Sequence, residues 1–528
     1  MSVSAHADDT WTTGSLSLLA GSTVIVLTEA IAGTVLGLAR LDIMGDTHSS
    51  IDEFAKLDYG YTGMKLLAFV LTPWIAGRFG LFNSVLAAAA LMTFACGAAA
   101  YTTDLDLVFA LRLIQGFSGG VIVVGTQALL FRGFPIKVQP LVQAVFAMGA
   151  VAAPATVAPY MQGWLLDATS WSWIFLSIVP IGLLGLTLLA LSPDVHEVRG
   201  QEVSFDLTGS SLCAVAALSI AYVLSQGNRW DWLNEPTIAY LSLIGILAVV
   251  LLIARQLLSR PTTKVLNFQI FRNGGFAFGI VASLAAGFAL LGSSYLIPAF
   301  AVSVLKMTPT AAGMLLLPST LALVATLLFT AFLVQHLKLP GIVTVPFGIL
   351  SFMIAMWMLS ASSSASGIPD MLPAIMLRGL ALGLLFLSIT LLSLSTLSSS
   401  LMLYGIGLFN VGRQIGGLVG IAFLQTFIED QTIANRTVLA AHILPGRTEV
   451  ASTIGNLANR FMAHGIEAGA ARRAAVGVIA KQVTLESTTI AFNTAFLSIS
   501  LFFLGVAPCI VIWKIVLGKL LARQSPQA

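Results

Sequence analysis

Roughly fourteen stretches of this chain are apolar enough, and long enough, to cross a lipid bilayer, because a spanning helix takes about 20 mostly apolar residues. Spans of that length use more than half of the 528 residues. The composition agrees, with 57% hydrophobic and 9% charged residues, where a soluble domain carries about 25% charged. A multi-pass, all-α membrane protein follows. The same numbers argue against a soluble enzyme. The net charge of +3 and the lack of a basic tract argue against a nucleic-acid partner.

The spans fall near 16–39, 57–76, 82–101, 107–131, 138–161, 171–192, 206–225, 236–255, 273–301, 309–335, 340–360, 371–394, 400–427 and 488–516. An even number puts both termini on one side, and Lys and Arg in short loops choose the side. With the termini inside, the inner segments hold Arg78, Arg132, Lys137, Arg199, Arg255, Arg260, Lys264, Arg272, Lys338, Lys514, Lys519 and Arg523. The short outer loops hold Arg40, Lys56, Arg229 and Lys306. The bias is for cytoplasmic termini. Residues 428–487 are long and polar and would then lie outside, with helical spacing at Thr448–Ala463 and 467–482 that predicts a helical hairpin. Residues 40–58 break the helical rhythm and read as a charged outer loop.

Other chemistry is sparse. Cys96, Cys213 and Cys509 all sit in apolar stretches and read as buried small hydrophobes. No GxxxxGK[ST] occurs, so nothing supports ATP hydrolysis within the chain. No cofactor or metal is expected. The N-terminus lacks the basic n-region of a cleaved signal peptide, so the first stretch reads as a retained span.

Ionisable groups inside spans are costly and mark functional sites by default. Glu29 lies in span 1, Lys65 in span 2, Arg112 in span 4, Arg378 in span 12 and Arg413 in span 13, with Asp58 at the outer end of span 2. Glu29, Lys65 and Arg112 fall between the outer surface and mid-membrane. A carboxyl there feels burial in one direction and a nearby cation in the other, as a proton carrier requires. Glu29 is the expected carrier, Arg112 its electrostatic tuner and Asp58 the fallback. The alternative is a fixed Glu29–Lys65 or Glu29–Arg112 ion pair that only joins helices. Tyr59, Tyr61, Tyr295, Phe288 and Phe409 are candidates for an aromatic pocket, or else packing groups; Gly149, Gly163, Gly416 and Gly417 are candidates for close helix contact.

These residues also carry a resemblance. Arg112, Gln115 and Gly116, within Leu111–Gly120, resemble the RxxQG signature in span 4 of the major facilitator superfamily. Trp74–Gly80, with Arg78 and Gly80, looks like its loop after span 2, although Gly77 stands at the acidic position. Ala158–Gly163, with Pro159 and Gly163, is similar to the antiporter motif of span 5, with one extra residue at Ala155–Val157. Trp171, Trp173 and Phe175 followed by Pro180–Gly182 resemble the WxWIF…PIG stretch of EmrB/QacA-type exporters. Asn410, Arg413, Gly416 and Gly417 resemble the NxxRxxGG of their penultimate span. The family's acid in span 1 aligns with Thr28, so Glu29 is displaced by one residue, about 100° around a helix.

The resemblance implies two six-helix bundles, 1–192 and 273–528, facing a central cavity, with two additional spans in 193–272 between them. It implies proton-driven antiport of amphipathic compounds across the bacterial inner membrane, with Asn410 and Arg413 contributing from the second half; Tyr61, Tyr295, Phe288 and Phe409 are read toward the substrate from the residues themselves, as is Lys65, which departs from the family pattern and tilts the cavity positive, toward anions. It also implies a periplasmic EmrA-like adaptor and, through it, an outer-membrane channel. Because cations outnumber acids in the spans, an exporter of organic anions is the alternative. A membrane scaffold or sensor is the reading of another class, and the charged in-span residues argue against it.

Overall fold

The apolar stretches fold as helices that satisfy their own backbone in lipid, and several are started by a polar cap. In the computed structural model, residues 12–192, 204–258, 265–443 and 447–524 are described. The first bundle is α1 (Thr13–Leu38), α2 (Arg40–Asp46), α3 (Ile51–Phe79), α4 (Leu81–Ala99), α5 (Leu105–Gly133), α6 (Gln139–Ala147), α7 (Ala158–Ala168) and α8 (Trp171–Ala190). Two further spans follow, α9 (Leu207–Gln226) and α10 (Pro236–Leu258). The second bundle is α11 (Gly274–Ser303), α12 (Pro309–Met314), α13 (Leu317–Gln335), α14 (Thr344–Leu359), α15 (Ile368–Leu394), α16 (Met402–Ala441), α17 (Thr448–Ala463) and α18 (Ala468–Gln524). The described residues contain no strand. Residue 193, where the two-span linker was expected to start, and the loop cations Arg199, Arg260 and Lys264 lie outside the described residues.

Side-chain oxygens of Thr12, Ser50, Asp104, Asn273 and Thr308 accept from first-turn N–H groups and start α1, α3, α5, α11 and α12. Gly80, at φ 87°, ends α3 and turns the chain directly into α4, a conformation that glycine adopts without strain. Thirteen of the described helical segments are long and apolar enough to span. Helix α3 is not among them, because Asp58 and Lys65 dilute its apolar content. Its packing against α5 and α9 makes it the fourteenth.

Three expectations change in detail. The charged loop at 40–58 is largely helical. Residues 40–46 form α2, and α3 starts at Ile51 through a capping box in which Ser50 and Glu53 satisfy each other's backbone N–H. The Ser50 N–H and hydroxyl hold the Glu53 carboxyl below its usual range. Second, the extra residue in span 5 is absorbed as a π-helical stretch, Met148–Val157, between α6 and α7. An inserted residue is accommodated in this way without breaking a helix. Third, spans 13 and 14 do not stop at the membrane. With 40 and 57 residues at about 1.5 Å each, α16 and α18 far exceed a hydrocarbon core of about 30 Å. Their projecting ends and α17 form the hairpin, held by Ala458, Ala471 and Ala475 with Ile454, Leu457 and Phe461 around them.

The surface at which α1 begins is called here the N-terminal face, and the other the hairpin face. Lipid-side exposure is concentrated on α10, where Tyr240, Leu243, Ile246 and Leu257 are all exposed. The two additional spans lean on the first bundle through Tyr59 against Tyr222, centroids 4.9 Å apart. Their loop straps the hairpin face: Arg229 pairs with Asp52 of α3 at 3.0 Å, while Asn228 donates to Glu429 and the Trp232 indole to Thr426, both of α16.

Candidate functional site

Helix α1 is apolar for four turns before it reaches Glu29, which is 4% exposed. Its carboxylate is ion-paired with Lys65 of α3. The Tyr61 hydroxyl donates to the same oxygen at 3.1 Å. Lys65 and Tyr61 are four apart and so share one face of α3. Glycines make the room. A Cβ at Gly116 would overlap the Tyr61 carbonyl oxygen, and one at Gly119 would lie 2.7 Å from the Glu29 Cγ. The Gly116 of the span 4 signature is therefore what lets α5 close on α3.

Arg112 is fully buried on α5 and does not touch Glu29. Its guanidinium carbon lies 4.1 Å from the centroid of the Tyr61 ring, which stands between the two charges. One terminal nitrogen donates to the Ala32 carbonyl at 2.8 Å and to Gln115 at 3.0 Å. The other has no hydrogen-bond acceptor, so the ring face is what it meets. Gln115 donates onward to the Ala95 carbonyl of α4. Asp58 is exposed, with Arg112 and Arg40 as its charged neighbours.

The second bundle repeats the arrangement without the acid. Arg378 of α15 is 2% exposed and donates to Ser293, Ser294 and the Leu290 carbonyl of α11 and to Ser319 of α13. Arg112 makes the same connections from the fourth span to the first and second. Among the described residues no carboxylate pairs with Arg378 or with Arg413. Arg413 donates to Asn410 and lies 4.9 Å from the Phe386 ring. It is half-buried.

The aromatic candidates do not line an open pocket. Tyr61, Phe288 and Phe409 are at most 5% exposed. Phe288 stacks on Phe502 at 4.5 Å inside the second bundle, and the Phe409 carbonyl accepts from Ser283. Tyr295 and Tyr59 are half-buried. Beside Leu290, Leu385 and Phe386 only about 10 Å³ is free, far below a small-molecule site of about 300 Å³ or more. A groove of about 470 Å³ opens elsewhere, between α4 and α8 at Phe94, Gly97, Tyr101 and Leu183, and holds no charge.

The motif residues lie at helix joints. Arg78 is in the last turn of α3 and stacks near Phe79, next to Gly80. Pro159 is in α7, and Gly163 approaches Thr310 of α12 across the two bundles. On the N-terminal face α3 meets α16, where a Cβ at Gly407 would overlap the Phe69 carbonyl oxygen. Sequence reasoning missed Gln127, Gln139 and Gln143, all buried at 2–4% exposure. Amides inside apolar runs were the available signal.

The motifs now stand on a two-bundle scaffold, and residues 18–421 match the sequence profile of the Major Facilitator Superfamily. The chain belongs to that superfamily. Within it the chain is of the EmrB type, and it is a transporter rather than an enzyme. It is 24% identical to the Multidrug export protein EmrB of Haemophilus influenzae over 93% of this chain and 96% of that protein. It is 22% identical to the Fatty acid resistance protein FarB of Neisseria gonorrhoeae over 95% of each. The crystal structure of the human organic anion transporter MFSD10 (TETRAN) shares the fold, with a TM-score of 0.53 and 13% identity over 78% of this chain and 93% of that one.

Proposed function

We propose that this chain exports amphipathic compounds across a bacterial inner membrane in exchange for protons, with both termini in the cytoplasm. The observation that carries the reading is Glu29, a buried in-span carboxylate held by Lys65 and the Tyr61 hydroxyl. Taking up a proton there would release Lys65, so protonation and helix contact are linked. The multidrug export relatives support the substrate class, and the excess of Lys and Arg in inner loops supports the orientation. Reconstituted in proteoliposomes, the protein is expected to accumulate an amphipathic rhodamine dye only under an imposed pH gradient, acid inside. Accumulation that survives a protonophore would reject proton coupling.

A second reading concerns the charge of the cargo. Arg413 is half-buried, with no carboxylate among the described residues paired to it, and one relative is a fatty acid resistance protein. A lipophilic anion would supply the missing charge. A fluorescent fatty acid in the same vesicles tests this, and failure to compete with the dye would set it aside.

The hairpin supports assembly with a periplasmic adaptor, and through it an outer-membrane channel. It stands clear of the membrane and leaves Ile433, Val438, Val476 and Val478 exposed. Deleting residues 448–482 is expected to leave vesicle transport intact and to abolish resistance in cells. Unchanged resistance would mean that the hairpin does not dock an adaptor.

A further inference from the structure

Four buried amides remain unused by the site above, and they form one chain. Arg413 donates to Asn410 Oδ1. Asn410 Nδ2 donates to Gln127 Oε1 at 3.3 Å, and also to the Ile406 carbonyl. Gln127 Nε2 donates to Gln143 Oε1 at 3.2 Å, and Gln143 Nε2 to Gln139 Oε1 at 3.2 Å. Gln139 Nε2 ends the chain on the carbonyls of Leu130, Phe131 and Phe134, at 3.0, 3.2 and 2.8 Å. All four amides are at most 4% exposed.

The direction of this chain is forced. A guanidinium only donates and a backbone carbonyl only accepts. With a donor at one end and acceptors at the other, every amide between must point the same way. Reversing one would set like atoms face to face at both of its side-chain links. The accepting carbonyls lie at the end of α5, where the helix dipole is negative, so cation and dipole polarise the chain in one sense. Such chains strengthen cooperatively where water is excluded.

Its central link crosses the molecule. Gln127 is on α5 and Gln143 and Gln139 on α6, all in the first bundle; Asn410 is on α16 in the second. We propose that this amide chain is the latch that holds the two bundles together on the N-terminal face, with Arg413 orienting it. A second bond between the bundles there, Arg132 to the Ser399 carbonyl at 3.4 Å, is exposed, so water competes for it. Parting the bundles strands buried amides until water enters, which makes release all-or-none.

Asn410→Asp separates the two roles of that side chain. The carboxylate still accepts from Arg413 but has nothing to donate to Gln127. Gln127→Leu removes the link from the other side. Spin labels at the exposed positions Lys137 and Ser400, in a chain with its three cysteines replaced, report the separation on the N-terminal face without substrate. Each variant is expected to raise the separated population about 3- to 10-fold, the scale of one lost hydrogen bond. Monodisperse N410D and Q127L proteins that both keep the parent distance distribution would overturn the latch.

Discussion

Replacing Glu29 by Gln is expected to abolish transport driven by a pH gradient, by about 100-fold or more, the scale on which a single proton-transfer group acts. The substitution is nearly isosteric. The amide oxygen still accepts from the Tyr61 hydroxyl, and the clearance beside Gly119 is unchanged. What is lost is the group that binds and releases the proton. Exchange of labelled for unlabelled substrate, which needs no net proton movement, should persist. The two assays on one vesicle preparation separate lost coupling from lost folding. Full gradient-driven transport by Glu29→Gln would reject Glu29 as carrier and shift attention to Asp58 of α3. Asp58 is exposed and has Arg112 as a charged neighbour, so it is open to a proton from the hairpin face.

The fold was legible in the sequence because lipid leaves a chain few choices. Apolar length fixed thirteen spans directly, and α3 was found despite Lys65. Helix α17 begins at Thr448 and ends at Ala463, where amphipathic spacing placed it. The projecting start of α18 was read at 467–482 as the second arm of the hairpin; the extension of α16 beyond residue 427 was not legible, because a polar helix continuing from a span looks the same as a polar loop when only hydropathy is read. The site was legible in part. A carboxylate and a cation in neighbouring spans announce themselves by cost, so Glu29, Lys65 and Arg112 were all in view. Their pairing was not, since depth estimates left Lys65 and Arg112 equally near Glu29. The Tyr61 ring decides between them by occupying the space in front of Arg112. The amide chain was invisible for a different reason. Gln127, Gln139 and Gln143 are each unremarkable alone, and only α5 lying against α6 and α16 makes them one structure.

Lys65→Met is expected to destabilise the protein by about 3–5 kcal/mol at alkaline pH, because removing one partner of a buried pair leaves the other charge uncompensated. The side chains of Lys65 and Glu29 are 15% and 5% exposed, so screening by water is slight. Adding Glu29→Gln to Lys65→Met should recover most of that loss. The pair then disappears as a unit, leaving two neutral side chains of similar volume. Thermal unfolding of the four proteins in detergent forms the double-mutant cycle. Losses that simply add would show that the two charges do not depend on each other. The cycle also bears on the cargo. While Glu29 neutralises Lys65, that lysine offers no free charge to a substrate, although its position in span 2 first made it the natural anion receptor. On the anion reading proposed above Arg413 then carries the preference, because no carboxylate among the described residues pairs with it. The Lys65→Met/Glu29→Gln protein should therefore keep whatever selectivity between fatty acid and neutral dye the parent shows in binding, whereas Arg413→Met should weaken the fatty acid selectively. Equal loss of both ligands from Arg413→Met would return that residue to a structural role at the head of the amide chain.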